Sequence, residues 1–355
     1  MYHLATKRKL PDHFAIIGFA RRELDDQGFR EHLGPALMNH EQAILPSKQF
    51  FNNISYIRGN FTTAADYQPL AARLKEIDNR WGQCANKIFY LAVAGEHYAI
   101  ILKNLSLSGL TDSCSGHGGW TRVLVEKPFG SDQKSAEKLD ELLEEYFKEE
   151  QIYRLDHYLA KEMIQNLLTF RFTNNLFESS WNRDHIESIA IRLHEKIGVE
   201  KRGEFYDQIG ALSDVGQNHL LQMLALVTME RPSDFSAAAI RKSRQDALRI
   251  LEPGRFENLK PRSFRAQYNG YREIAGVALE SQIETYFKIR TTLSSKRWQG
   301  VRVDLESGKR LAEQRKEIVI TFKHPLPCFC PADAPVHYRN SLTIGLEPEE
   351  KISVC

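Results

Sequence analysis

Over the first 150 residues, short apolar runs alternate with helix-length amphipathic stretches, and this rhythm restricts the fold more than any other feature. FAIIGFA (14–20) leads into a charged stretch from Glu23, and ISYIRG (54–59) into a helical stretch near 67–80. KIFYLAV (87–93) is followed by HYAIILKNL (97–105), and RVLVEK (122–127) by SDQKSAEKLDELLEEYFKEE (131–150). In the last stretch Leu139, Leu142, Leu143 and Phe147 recur at helical spacing, with Ser131 as candidate cap. Strand and helix alternating at these lengths predict a parallel, doubly wound α/β sheet.

After Gln151 the pattern changes. Two long apolar helical stretches (158–173 and 211–229) are followed by alternating segments at 186–195, 283–293, 299–305, 317–323 and 341–347. These predict an α+β domain with a large antiparallel sheet. The polar stretch 231–262 reads as a surface connection with one short helix. The boundary falls near 150, giving domains 1–150 and 151–355. Two domains also suit the length, at ~150 residues each.

Composition excludes several classes. Lys+Arg 48 against Asp+Glu 46 leaves +2, too balanced for a dedicated nucleic-acid or membrane-surface protein. No window approaches the ~20 apolar residues of a membrane span. Five scattered cysteines (Cys84, Cys114, Cys328, Cys330, Cys355) make no disulfide framework and point to a reducing cytoplasm. Cys328 and Cys330 form a lone C-x-C, so no metal site is expected. Lys7, Arg8 and Lys9 precede no apolar stretch, so no secretory signal is expected.

Parallel α/β sheets bind ligands beyond the carboxyl ends of their strands. The G-x-G-x-x-G phosphate cradle is absent; Gly18, Gly28 and Gly34 are too widely spaced. Arg21 and Arg22 follow the FAIIGFA strand, where an arginine accommodates a ribose 2′-phosphate and an acid a free hydroxyl. That placement favours NADP over NAD; the plainer reading is a solvated helix start. In EKPFG (126–130) Lys127 sits at a strand's carboxyl end, either facing a ligand or as a turn lysine in water.

RLDHYLAKE (154–162) places His157, Tyr158 and Lys161 three and four apart, which on a helix is one face. Beside exposed amides at a helix N-terminus they make a candidate phosphate site. Asp156 reads locally as the helix cap. His219 lies at the polar-to-apolar switch of GALSDVGQNHLLQMLALV (210–227). It is either a hydrogen-bonded core residue or a general base of suitable intrinsic pKa. As a base it needs an acidic partner to fix its tautomer, and Asp156 is the candidate.

Together these segments resemble glucose-6-phosphate dehydrogenase. RVLVEKPFGSD, QIYRLDHYLAKEMIQNLLTFRFTN, WNRDHIESIAIRLHEKIGVEKRGEFYD, IGALSDVGQNHLLQMLAL, GYREIAGVALESQIETY and RWQGVRVDLESGKRLAE follow the family's order and spacing. The resemblance implies a Rossmann-like domain, then the α+β domain, and NADP-linked oxidation of glucose 6-phosphate at C1. By the same resemblance His219 is the proton acceptor and Asp156 orients it. His157, Tyr158 and Lys161 hold the phosphate. Lys127, Glu195, Asp214 and Lys309 hold the sugar, and Arg21, Ala92, Val93 and Lys127 border the cofactor.

The chain also departs from the family pattern. Only LATKRKL (4–10) stands where a first strand, a G-x-x-G-D-L loop and a helix are usual, and the large sheet is shortened at Cys355. That sheet forms much of the family's homodimer or homotetramer interface, so assembly is not expected here. Ala94-Gly95 replaces two prolines, Ala160 a glycine, Glu306 an arginine, and Gln314 a residue that is basic in some members. The expectation is a dehydrogenase whose sugar-phosphate site is better kept than its cofactor site. The alternatives are a binding-only relic and a dehydrogenase of another sugar phosphate.

Overall fold

The computed structural model describes residues 1–38, 48–112, 118–130, 132–251, 263–324, 327 and 339–355. The chain forms two compact units, Met1–Leu155 and Asp156–Cys355. The first contains β1 (Ile16–Ala20), β2 (Ile54–Arg58), β3 (Lys87–Leu91), β4 (Thr121–Glu126) and β5 (Ile152–Leu155), and every pairing is parallel. Parallel neighbours require crossovers. Helices Asp26–Met38, Tyr67–Trp81, Tyr98–Leu107 and Gln133–Tyr146 lie in the connections. HYAIILKNL is thus a helix. Its apolar run is continuous because Ile101, Leu102 and Leu105 are buried under the sheet.

Helix Gln133–Tyr146 is capped by Asp132, not Ser131, which lies outside the described residues. The Asp132 carboxylate accepts from the Ser135 amide at 2.8 Å, and Ser135 Oγ accepts from the Asp132 amide at 3.0 Å. This reciprocal pair satisfies two otherwise orphan donors.

The hydrogen-bonded ladder stops between β1 and β3. β1 and β2 form a two-stranded sheet, and β3, β4 and β5 a three-stranded one. Ile17 and Phe19 of β1 pack into the same apolar cluster as Phe89, Leu91, Val123 and Val125, so side chains join the two pieces. On β3, Ile88 is 61% and Tyr90 53% exposed. An exposed apolar strand edge is a template for pairing with another strand. Cys84 is disulfide-bonded, which departs from the expectation of reduced thiols; Cys114, Cys328 and Cys330 lie outside the described residues.

The second unit is built on a seven-stranded sheet. Its strands are β6 (Ile186–His194), β7 (Ser263–Ala266), β8 (Tyr286–Thr292), β9 (Arg302–Gly308), β10 (Arg315–Phe322), β11 (Ser341–Glu347) and β12 (Lys351–Val354). The order is β12-β11-β10-β6-β9-β8-β7. The sheet is mixed rather than wholly antiparallel: β6 pairs antiparallel with β10 and parallel with β9. The parallel pair β6–β9 requires a crossover, which the chain between His194 and Arg302 supplies.

One face of this sheet meets a helical layer. Ile318, Ile320, Leu342 and Ile344 join Leu220, Met223, Leu224, Trp181 and Trp298 in one core. The helix Leu221–Thr228 ends inside it, where its last carbonyls have no partner within the helix. Three side chains donate to them. Arg171 reaches Leu226 O at 2.7 Å and Met229 O at 3.0 Å, Trp181 reaches Val227 O at 2.7 Å, and Trp298 reaches Thr228 O at 2.7 Å.

Glu306 stands in a polar cluster on β9. It accepts from Tyr286 Oη at 2.9 Å, and lies 3.1 Å from His194 Nε2 and 3.3 Å from Lys288 Nζ. The His194 bond, against the opposing effect of burial and with help from Tyr286 and Lys288, lowers its pKa from 4.5 to about 2. A carboxyl depressed in the folded state stabilises above its unfolded pKa and ceases to do so as pH falls through the folded one. Stability should therefore decline from pH 4.5 towards pH 2. Acid unfolding followed by circular dichroism should show a shallower decline in Glu306→Gln, and an unchanged acid limb would remove this role.

Candidate active site

β5 ends at Leu155, and Asp156 opens the second unit. Residues 157–160 form a turn, and the helix begins at Glu162. His157, Tyr158 and Lys161 therefore lack the shared helical face that their spacing predicts. The cause is Asp156. Its Oδ1 accepts from the Tyr158 amide at 2.9 Å, a bend that aspartate side chains impose on the backbone. Asp156 shapes this turn and does not cap the helix.

The same oxygen accepts from His219 Nδ1 at 2.8 Å, bringing together residues 63 positions apart. His219 is 2% exposed. It belongs to a π-helical segment, Leu212–Leu220, where the 211–229 pattern predicts ordinary α-helix. A ladder in which each residue bonds the fifth along stacks side chains five apart, and Asp214 and His219 are five apart. Burial works to raise the pKa of Asp156, but the His219 bond and charge and the Tyr158 amide outweigh it and hold the carboxyl below its usual range.

Three rings gather here. Tyr158 lies 4.2 Å from His219 between centroids, His157 lies 4.6 Å from His219, and His157 and Tyr158 are 4.8 Å apart. Burial, then the Glu195, Glu347, Asp156 and Asp214 carboxylates, push the Tyr158 hydroxyl up, so it remains a donor. Asp156, His157 and His219 also place possible metal-ligand atoms within 4.8 Å of one another, the one such set of three among the described residues.

Tyr158 links these rings to an ion network. The Lys161 and Lys316 ammonium groups lie 5.3 and 5.9 Å from its centroid. Lys161 pairs with Glu347 at 2.6 Å, Lys316 with Glu347 at 2.7 Å, and Lys309 with Glu195 at 2.5 Å. Glu195, Lys309, Lys316, Gln314 and Tyr206 line a cavity of about 270 Å³. Lys316, Glu347 and Tyr206 are absent from the sequence reading. The first two are cross-strand partners in the register of β10 on β11, next to a register shift. Only that register reveals the pair.

In the first unit Arg21, Ala92, Val93 and Lys127 all lie just beyond the carboxyl ends of parallel strands. The Tyr56 hydroxyl lies 2.8 Å from Ala20 O and 2.9 Å from Arg22 O, which fixes this strand end. Arg21 is exposed, while Arg22 lies 3.1 Å from His32 and Glu23 is paired with Arg58 at 2.6 Å. An exposed arginine at a strand's carboxyl end fits a 2′-phosphate. The glycines at these strands do not fit a pyrophosphate cradle. A Cβ on Gly18 would meet Phe29 at 2.6 Å, and one on Gly59 would meet Phe19 at 2.3 Å. Both glycines make room for aromatic rings.

Two family descriptions cover the chain. "Glucose-6-phosphate dehydrogenase, NAD binding domain" matches residues 1–166, and "Glucose-6-phosphate dehydrogenase, C-terminal domain" matches residues 168–355. A glucose-6-phosphate 1-dehydrogenase of Aggregatibacter actinomycetemcomitans is 39% identical over 366 residues, covering 100% of this chain and 73% of that protein. The crystal structure of the Mycobacterium avium glucose-6-phosphate 1-dehydrogenase aligns with a TM-score of 0.86 at 31% identity, covering 99% of this chain and 75% of that one. A glucose-6-phosphate dehydrogenase solved in complex with glucose 6-phosphate aligns with a TM-score of 0.85 at 31% identity, covering 99% of this chain and 72% of that one. With both halves matched in order, and Asp156 and His219 in contact, the chain belongs to the glucose-6-phosphate dehydrogenase family.

Proposed function

We propose that the chain oxidises D-glucose 6-phosphate to 6-phospho-D-glucono-1,5-lactone, the first step of the pentose phosphate pathway, with NADP as acceptor. The observation that carries this is the buried Asp156–His219 hydrogen bond of 2.8 Å. Asp156 on Nδ1 leaves Nε2 as the basic nitrogen, and its charge stabilises the imidazolium that forms. His219 thus takes the proton of the C1 hydroxyl. Arg21, Ala92, Val93 and Lys127 would hold the cofactor, which would supply the hydride acceptor for C1.

His157, Tyr158 and Lys161 take the phosphate, and Glu195, Asp214 and Lys309 the sugar hydroxyls. Lys127 keeps the role the resemblance gives it, towards both sugar and cofactor. Residues 1–150 form the NADP-binding domain in this reading, and 151–355 the glucose-6-phosphate-binding domain. An intact acid–base pair supports an enzyme over a binding-only relic. A cytoplasmic setting is part of the reading, supported by the scattered cysteines rather than by the Cys84 disulfide. The direct test is formation of the lactone and reduced cofactor from glucose 6-phosphate and NADP. No product at high enzyme concentration would reject the function.

NADP should be preferred over NAD because Arg21 stands exposed at the β1 end, where a guanidinium suits a 2′-phosphate. Charge-assisted bonds contribute about 1.5–3 kcal/mol, so Arg21→Ala should weaken NADP roughly 10- to 100-fold and leave NAD nearly unchanged. Calorimetric titration with both cofactors measures this. Equal affinities in the unmodified protein would remove the role of Arg21.

A further inference from the structure

Glu347 closes β11 and holds both lysines that stand beside Tyr158. Its Oε1 accepts from Lys161 Nζ at 2.6 Å. Its Oε2 lies 2.7 Å from Lys316 Nζ and accepts from Gln314 Nε2 at 3.1 Å. Burial works to raise its pKa, but the lysine bonds outweigh this and bring it down to about 2, so the group is ionised at any physiological pH. Lys161, Lys309 and Lys316 set against Glu195 and Glu347 give three positive charges and two negative.

An ammonium has three N–H donors, so Lys161 can hold Glu347 and a phosphate oxygen together. The two acceptors are then no more than about 5 Å apart. A phosphate monoester carries roughly −1.5 to −2 at neutral pH. At that separation, in a half-buried site, its repulsion from a carboxylate is only partly screened.

From this we infer that Glu347 is a built-in competitor for the substrate phosphate. By occupying the cations that a phosphate needs, it weakens phosphate binding and narrows the preference for phosphorylated over unphosphorylated hexose. The inference rests on the reading of Lys161 as a phosphate ligand. It is distinct from a buttressing role, in which Glu347 would steady the lysines and help phosphate bind. The two roles predict opposite signs for the same substitution.

The test uses the full chain and inorganic phosphate as probe, titrated calorimetrically into the unmodified protein, Glu347→Gln and Gln314→Lys. Gln314→Lys is the charge control, since a further cation tightens phosphate under either role; Glu347→Gln decides between them, and Glu347→Ala takes its place if that variant fails to fold. Phosphate should bind at least about tenfold more tightly to each variant, with the gain shrinking in added salt. In parallel, kcat/KM for glucose 6-phosphate relative to glucose should rise by about the same factor. Phosphate affinity that is unchanged or weaker in the Glu347 variant, with glucose 6-phosphate still turned over by the unmodified protein, overturns the inference alone. Tighter phosphate binding by the Glu347 variant without any turnover of glucose 6-phosphate supports the inference and removes the substrate reading instead.

Discussion

Replacing His219 with asparagine should lower kcat by roughly 10²–10⁴-fold, the usual contribution of a positioned general base. KM for glucose 6-phosphate should change far less. The side chain is 2% exposed, and its Nδ1 is held by Asp156. An asparagine amide can keep a contact to that carboxylate but cannot accept the C1 proton. The pH profile adds a readout that a purely structural role would not move. Loss of the base should remove the acid limb of kcat, whereas a packing defect would leave the profile's shape intact. An unchanged kcat would return His219 to the role of a hydrogen-bonded core residue.

Arg171→Met should cost on the order of 3–5 kcal/mol, because two buried carbonyls lose their donor at about 1–3 kcal/mol each and the packing of a buried side chain changes. Arg171 is 0% exposed, and burial brings its pKa down to about 10, so it stays charged at neutral pH. Methionine of similar length leaves the carbonyls of Leu226 and Met229 without their donor at the end of a buried helix. It also removes a cation from the helix C-terminus, where positive charge is favoured. Glu178 keeps Arg297 at 2.6 Å, so the loss falls mainly on the carbonyls. For a unit of this size the melting temperature should drop by about 10 °C. Urea unfolding followed by tryptophan fluorescence checks it, since Trp181 and Trp298 line the same helix end. A loss under about 1 kcal/mol would mean that water replaces the donor.

The strands of both units were legible because their side chains alternate or run apolar between charged stretches. Ile318 and Ile320 against Glu317 and Thr321 is such an alternation. The short strands β5, β7 and β12 were not legible; β5 is only IYRL, and its last two residues read as the lead into the RLDHYLAKE helix. Ser263–Ala266 offers no buried side chain, and its pairing with β8 is made by the backbone. The parallel pairing of β6 with β9 was also hidden, since alternation fixes a face but not a direction. In the site, residue identity was readable and local conformation was not. Asp156 looks like a helix cap by its position. Its carboxylate instead folds back on Tyr158 and reaches His219, a long-range contact that no local spacing encodes. Glu347 and Lys316 needed the register of two strands, which a bulge beside Lys316 sets.

The central position of β6 also has a meaning in time. On the ribosome β6 emerges long before either of its neighbours. Leu193 and Ser307, joined by a hydrogen bond of 2.9 Å, are 114 positions apart, and β10 follows later still. At ~5–20 residues per second, β6 waits roughly 5–25 s for its first partner. Throughout that interval Ile186, Ile189, Ile191 and Leu193, all no more than 1% exposed in the finished protein, have no sheet to enter. The nascent chain therefore passes through a stage with an apolar strand and both its edges open, so the yield of folded protein depends on what shields β6 during synthesis.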